Sequence, residues 1–319
     1  MTEAALNRYI ALHEALGRGR SKPDSTALPF TASALLRTAD ETAEPRQLVS
    51  RTREIHDAIK DRLGGHRAPT GSLRWVYAAM MTARGIDPER FFALREAVRA
   101  ARKASGTGSI HGGGARAALV LALSDEPTET LVARFYAIKQ AIRPPWWRSD
   151  VSITDTFAAA HAAEGASPGD ITARREQAEQ VFAADRHFKH NKREATRLAV
   201  LLHASPHQAV AAFDSLREAA RSQKRLRGEH DKSMLVAWAV EGLTAADVHA
   251  MADISERLPK KCRGAGAPRT RLAHQILTAD RHGVPATDVS AMAAVIAAQT
   301  AVMVAIMSST VVATTATAS

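Results

Sequence analysis

Two histidines three residues apart, His187 and His190, are the pair whose spacing best fits metal chemistry. On one helix, this spacing places both imidazoles at neighbouring positions of the same face. A metal site also needs a third ligand and supporting hydrogen bonds. His203 and His207 follow in the sequence, but Pro206 interrupts their helical spacing. Because no zinc or di-iron motif is present either, the sequence predicts no metal site and no cofactor.

A glycine-rich segment, residues 106–114, has the composition of a phosphate-binding loop. No Gly-Lys-Ser or Gly-Lys-Thr follows it, and it comes after a predicted helix rather than a strand. It therefore fits neither the P-loop nor the dinucleotide-binding fingerprint. We interpret the segment as a flexible turn between two helices.

Cys262, the only cysteine, lies between Lys261 and Arg263, and basic neighbours of this kind lower the pKa of a thiol. No base or orienting residue accompanies it, so we expect an exposed loop thiol rather than a nucleophile. The sequence thus predicts a protein that is not an enzyme. An active site assembled from residues scattered over several helices stays open as the least favoured hypothesis.

Basic residues recur in the loops between predicted helices, and one of these loops also holds a tryptophan pair. These basic residues have two interpretations. They form a positive ridge that binds a polyanion or an acidic protein, or they are cations that offset the dipoles of the helices they follow. The Trp pair either stacks a ligand or packs into the core. This candidate binding surface consists of Arg143, Trp146, Trp147, Arg148, Arg186, His187, Lys189, His190, Lys192, Arg193, Lys224, Arg225, Arg227, Lys260, Lys261 and Arg263.

The composition sets limits on fold and partners. The chain has 319 residues, of which 45% are hydrophobic, so we expect a sizeable core rather than global disorder. The net charge of +10 permits binding to nucleic acid, anionic lipid or acidic proteins.

Helix starts marked by proline recur at an almost constant step. They occur at Pro45, Pro88, Pro127, Pro168, Pro206 and Pro285, with Thr244 in the slot before the last, and the steps are 43, 39, 41, 38, 38 and 41 residues. A period of about forty residues is typical of stacked helical hairpins. We predict an all-α fold of stacked antiparallel helical hairpins that form a solenoid-like array.

The array is expected to span residues 45–288. A loosely attached leading helical pair, residues 1–44, precedes it, and an apolar closing helix with a frayed tail, residues 289–319, follows. The last segment carries no charged side chain and is long enough to cross a bilayer. Its many Ala, Ser and Thr residues favour a cytoplasmic protein over one associated with the inner membrane through this tail.

Several motifs carry a resemblance to a known family. They are the segments 186–190 and 153–155, the repeated Leu-Arg-Glu-Ala at 94–97 and 216–219, and the apolar tail around 297–299. In these the chain resembles a bacterial family, the domain of unknown function numbered four thousand and three. The resemblance covers most of the chain from Leu48 onward and implies an all-helical fold, with no activity to transfer.

The function predicted from these observations is non-catalytic binding or scaffolding, with a protein partner recognised on the helical-repeat surface. One alternative is a nucleic-acid or anionic-surface binder that uses the basic loops. Another is a membrane-tethered platform that uses the C-terminal segment. No small-molecule substrate is indicated.

Overall fold

A computed structural model describes residues 2–281 except 26, 39, 41, 65–68, 70, 108, 143–150, 227–230 and 263–268. The described residues form fourteen α-helices and no strand, which confirms the all-α prediction. The helices are α1 Thr2–Gly17, α2 Ala27–Leu35, α3 Pro45–Arg62, α4 Gly71–Arg84, α5 Pro88–Ala101, α6 Ala115–Leu121, α7 Thr128–Ala141, α8 Val151–Ala163, α9 Pro168–Ala184, α10 Lys192–Leu201, α11 Pro206–Ser222, α12 Lys232–Val240, α13 Ala245–Arg257 and α14 Arg269–Arg281.

Each odd-numbered helix, which we call an A helix, packs against the next even-numbered B helix as a hairpin. The B helices are the more deeply buried set: all seven residues of α6 and eight of the nine in α2 are buried. The A helices keep a charged, exposed face. Because they are the more deeply buried set, the B helices form the inner layer. Their small alanine side chains allow close helix contact.

The helix starts follow from local chemistry. Proline begins α3, α5, α9 and α11, where its missing N–H costs no hydrogen bond. The Asp87 carboxylate caps α5 by accepting the Glu89 N–H at 3.0 Å. Thr244 and Asp247 form the predicted capping box at the start of α13. The predicted start at Pro285 and the tail 289–319 lie outside the described residues.

Successive hairpins follow one another in chain order, and the first also packs on the last. The second and third hairpins are linked by Arg62 of α3, which pairs with Glu89 and lies over the Phe92 ring of α5. Helix α1 contacts α13 and α14, and α2 contacts α14. The Tyr9 hydroxyl donates to the Cys262 carbonyl at 2.9 Å, and Ser33 donates to the Gln275 side chain at 2.9 Å. The array therefore closes into a ring, which we call the helix ring.

The leading pair is an integral part of this ring rather than a loosely attached element. Tyr9, Leu12 and Leu16 of α1 are fully buried, and Phe30 and Leu35 of α2 belong to the same core. A terminal hairpin in an open array exposes one apolar side, whereas here the last hairpin covers it.

The two kinds of loop lie at opposite ends of the helix ring, because the hairpins are antiparallel. Contacts between neighbouring hairpins join residues that lie at the same end. The Asp155 carboxylate at the start of α8 accepts the His111 N–H of the loop before α6 at 2.7 Å. At the other end, His203 lies 3.2 Å from Glu164 in the preceding B-to-A loop. We call these ends the A-to-B end and the B-to-A end.

Candidate interaction surface

The two ends of the helix ring carry opposite charge. The described A-to-B loops hold eleven Lys and Arg residues against three acids, Asp24, Asp185 and Asp231. The described B-to-A loops hold seven acids against one cation, Arg37. The eleven cations are Arg18, Arg20, Lys22, Arg102, Lys103, Arg186, Lys189, Lys224, Arg225, Lys260 and Lys261, and the seven acids are Asp40, Glu44, Asp87, Asp125, Glu126, Glu164 and Glu241.

Most acids at the B-to-A end are engaged within the fold. Asp87 caps α5, and Asp40 accepts hydrogen bonds from the backbone N–H groups of residues 42 and 43. Glu126 pairs with Arg134 at 2.8 Å, and Glu241 pairs with His274 at 2.5 Å. The Arg134 side chain lowers the pKa of Glu126 below its usual range. These acids therefore hold neighbouring elements together.

Most cations at the A-to-B end are not engaged in this way. Arg186 pairs loosely with Asp214 at 3.7 Å, and Lys261 pairs with Glu14 at 2.6 Å. Six others form no side-chain hydrogen bond or ion pair with any described residue: Arg20, Lys22, Lys103, Lys189, Lys224 and Lys260. In particular, none of the six caps a helix-terminal carbonyl within the described chain. Their charge is directed to solvent.

The structure places part of the predicted binding surface in or next to the A-to-B loops. Residues 186–190 form the turn between α9 and α10, Lys192 and Arg193 lie in the first turn of α10, and Lys224 lies in a 3₁₀ turn after α11. Lys260 and Lys261 lie in the 3₁₀ turn after α13. Arg143, Trp146, Trp147, Arg148, Arg227 and Arg263 lie outside the described residues, as does the side chain of Arg225.

The two histidines do not share a helix face, because residues 186–191 form turns. His187 is partly buried and its ring stacks on Phe213, with the ring centroids 4.6 Å apart. His190 is exposed. Within the part of the chain that the structure describes, no three His, Cys, Asp or Glu side chains are close enough to hold a metal ion.

A cavity of about 300 Å³ opens beside His187 at the A-to-B end. Its lining comes from the turn before α10, one face of α11 and the first turn of α12. The lining residues are His187, Phe213, Arg217, Arg221, Asp231, Lys232 and Leu235. Only His187 belongs to the surface predicted from sequence. The spacing of Phe213, Arg217 and Arg221 by four residues is the signal that would have found the rest, since it places them on one helix face.

The glycine-rich segment is a packed turn rather than a phosphate loop. Gly114 has a φ of 82°, and a Cβ atom there would lie 3.1 Å from a Val98 methyl group, so any other residue would strain the backbone and crowd Val98. Beside it Lys139 and Asp155 form a buried ion pair with a 2.6 Å separation, and Lys139 also donates to the Ser109 carbonyl at 2.7 Å. Burial raises the pKa of Asp155, although Lys139 and the His111 N–H oppose that shift. This pair joins the loop to α7 and α8.

Cys262 is fully buried, so the expectation of an exposed thiol is wrong. Its side chain belongs to the core, and its backbone carbonyl accepts the hydrogen bond from the Tyr9 hydroxyl of α1. Burial raises the pKa of the thiol, although Lys261 acts in the opposite direction. Lys261 and its neighbour Lys260 remain exposed.

Comparison with known proteins gave no match: no family model, no curated protein and no solved structure is detectably similar to this chain. The family resemblance of segments 153–155 and 186–190 stays a prediction. No helix in the described part of the chain is long and apolar enough to cross a membrane.

Proposed function

We propose that this chain is a non-catalytic binding or scaffolding protein that recognises an acidic region of a partner protein with the A-to-B end of the helix ring. The observation that carries the proposal is the set of six cations without a partner in the described structure. An acidic partner supplies the counter-charges that the fold itself does not.

Helix dipoles do not explain the charge of this end. Each end of a ring of antiparallel hairpins contains the C-termini of one set of helices and the N-termini of the other. The dipoles therefore favour cations and acids equally at both ends. A separation of charge between the ends needs another cause, and recognition of a charged partner is one.

A protein partner suits this surface better than nucleic acid. The cations are distributed over several loops of a ring, whereas a nucleic-acid backbone is tracked by a continuous cationic groove.

The test compares charge reversals at the two ends. Lys189 and Lys224 are exposed at the A-to-B end, and Arg46 and Arg51 are exposed on the first half of α3. Binding of poly-glutamate at low salt is measured by anisotropy for the wild type, for Lys189→Glu/Lys224→Glu and for Arg46→Glu/Arg51→Glu, which change the net charge equally. We expect the first variant to bind at least about tenfold more weakly and the second to bind like the wild type within about twofold. Equal losses in both variants, or tighter binding of duplex DNA than of poly-glutamate by the wild type, would contradict the proposal.

A further inference from the structure

We infer that the acidic region of the partner is an extended segment, and that it binds along one arc of the A-to-B end. With the hairpins numbered one to seven in chain order, the arc covers hairpins five, six, seven and one. It therefore crosses the place where the helix ring closes. This inference rests on the proposed function, since it names the part of the A-to-B end that binds and the form of the acidic partner.

The arc holds most of the unpaired positive charge at the A-to-B end. Five of the six loop cations without a partner lie in it, and the exposed Lys232 in the first turn of α12 likewise forms no hydrogen bond or ion pair with a described residue. Each of the four hairpins contributes at least one cation. We call the set the cationic arc: Lys189 in hairpin five, Lys224 and Lys232 in hairpin six, Lys260 in hairpin seven, and Arg20 and Lys22 in hairpin one.

Direct contacts join each of these hairpins to the next. Ser233 in the first turn of α12 donates to the Asn191 side chain at 3.3 Å, which joins hairpin six to hairpin five. The Gln223 side chain contacts the His249 ring of α13 at 2.7 Å, which joins hairpin six to hairpin seven. Lys261 pairs with a glutamate of α1 at 2.6 Å, which joins hairpin seven to hairpin one. The cations of the arc therefore lie on neighbouring elements.

The cationic arc depends on closure of the helix ring. Arg20 and Lys22 belong to the first hairpin of the chain and Lys260 to the last. The hydrogen bond from the Tyr9 hydroxyl to the Cys262 carbonyl brings the first hairpin against the turn that contains Lys260. In an open array, the same cations would lie at opposite ends of the molecule. Closure thus extends the series of charges from three hairpins to four.

The acids of the arc loops bind backbone groups instead of these cations. The Asp185 carboxylate accepts the N–H groups of residues 187 and 188 at 2.7 and 3.1 Å. Asp231 and Asp24 each accept an N–H in the first turn of a B helix, α12 and α2, at 2.8 Å. None of the three carboxylates forms an ion pair with a cation of the arc within the described structure. The counter-charges are therefore left for a ligand to supply.

The side of the A-to-B end formed by hairpins three and four differs. Lys139 is buried there, where it pairs with Asp155 and holds the glycine-rich turn. In the described part of these two hairpins, Lys103 is the one exposed Lys or Arg without a partner. A single lysine provides no series of charges for a segment to follow, so we place the binding surface on the arc.

The spacing of the charges selects an extended occupant. Packed helices lie about 10 Å apart, so four successive hairpins spread the cations over about 30 Å. An extended chain advances about 3.3 Å per residue, so a segment of about ten acidic residues spans the arc. A shorter acidic segment reaches the cations of only one or two hairpins.

The chemistry of the arc favours carboxylates over nucleic acid. Five of its six cations are lysines, whose compact ammonium groups need no fixed direction of approach from a carboxylate. Single-stranded nucleic acid also binds by stacking its bases on aromatic rings. No Phe, Tyr or Trp side chain is exposed in the described part of the chain, so the described arc offers no such ring.

The first part of the test measures how affinity depends on ligand length. Labelled peptides of four, ten and sixteen glutamates are titrated with the full chain at low salt, and binding is followed by anisotropy. We expect the ten-residue peptide to bind about thirtyfold more tightly than the four-residue peptide, because it reaches all four hairpins. The sixteen-residue peptide should bind within about threefold of the ten-residue peptide, since the arc is then already filled.

The second part compares charge reversals on the two sides of the same end. Lys22→Glu and Lys260→Glu change the arc on either side of the ring closure, and Lys103→Glu is the matched control outside it. All three positions are exposed and unpaired in the described structure. We expect each arc variant to bind the ten-residue peptide about five- to tenfold more weakly, and the control to bind within about twofold of the wild type.

The outcomes separate this inference from the proposed function. Equal losses in Lys103→Glu and Lys260→Glu, or equal affinity for the four- and ten-residue peptides, would overturn the arc and leave the acidic-partner proposal standing. No binding of any glutamate peptide at low salt would overturn both. Displacement of the ten-residue peptide by a thymidine oligonucleotide of equal charge at lower concentration than by the unlabelled peptide would overturn the inference in favour of a nucleic-acid ligand.

Discussion

The two ends of the helix ring differ in what their charged side chains do. At the B-to-A end, Asp87, Glu126 and Glu241 accept hydrogen bonds that fix helix starts and join neighbouring hairpins. At the A-to-B end, the exposed side chains of Lys189, Lys224 and Lys260 form no hydrogen bond or ion pair with a described residue. Charge at a helix terminus is therefore structural where it is bonded, and available for recognition where it is not.

One cation at the A-to-B end is an informative exception. Lys139 is buried against Asp155, in contrast to the exposed lysines of the loops around it. The same end of the ring therefore contains one cation that the fold requires and several that it does not. Substitutions can separate these two classes.

Replacement of the buried lysine gives the largest expected effect. Lys139→Met leaves Asp155 as an uncompensated buried carboxylate, so we expect a loss of about 3–5 kcal/mol in the free energy of unfolding at pH 7. Urea denaturation measures it. The exposed Lys103→Met is the matched control and is expected to change stability by less than about 0.5 kcal/mol.

The loss in Lys139→Met should also depend on pH, with a definite sign. Burial raises the pKa of Asp155, so the folded state disfavours the ionised carboxylate, and stability falls as pH rises through that raised pKa. Removal of Lys139 strengthens this tendency. The deficit relative to the wild type should therefore shrink as the pH is lowered towards 4. A deficit below about 1 kcal/mol at pH 7 would show that the pair is not structural.

A smaller effect is expected from the helix cap at the opposite end. Asp87→Ala removes the acceptor for the Glu89 N–H, and loss of such a cap costs about 1 kcal/mol. Lys224→Ala at the A-to-B end should leave the free energy of unfolding within about 0.5 kcal/mol of the wild type. Urea midpoints of the two variants compare the ends directly. Equal losses would mean that the exposed lysines are structural too.

The smallest effect on stability is expected for Lys261, a loop lysine that pairs with Glu14. Its ammonium group lowers the pKa of Glu14, so the stability from this pair is present above the usual pKa of a glutamate and is lost as pH falls through the lowered value. Lys261→Gln should lower the Tm by about 1–2 °C at pH 7. At pH 3 the difference should be smaller. Scanning calorimetry at both pH values measures the difference in Tm. A difference that is the same at pH 7 and pH 3 would contradict a stabilising pair between Lys261 and Glu14.

The sequence predicts most of the local structure of this chain. Pro88, Pro168 and Pro206 begin helices because a proline at the first position sacrifices no hydrogen bond, and the Thr244 capping box has a short, local signature. The uncharged stretch after Arg116 becomes the buried helix α6. These features depend on neighbouring residues, so they can be read along the chain.

Contacts between distant residues could not be predicted in the same way. The pairing of Tyr9 with Cys262 closes the ring across more than two hundred residues, and no periodicity encodes it. Lys139 and Asp155 occupy ordinary helix positions, and only the packing of three elements brings them together. The cavity beside His187 likewise needs residues from three separate places in the chain: the turn before α10, one face of α11 and the first turn of α12.

A hydrogen-exchange footprint of the full chain with saturating poly-glutamate shows which end of the helix ring binds an acidic ligand. We expect slower amide exchange in residues 185–191 and 223–226, with no change in the B-to-A loops 122–127 and 241–244. Protection confined to the B-to-A loops, or spread equally over both ends, would contradict the proposal that the A-to-B end is the binding surface.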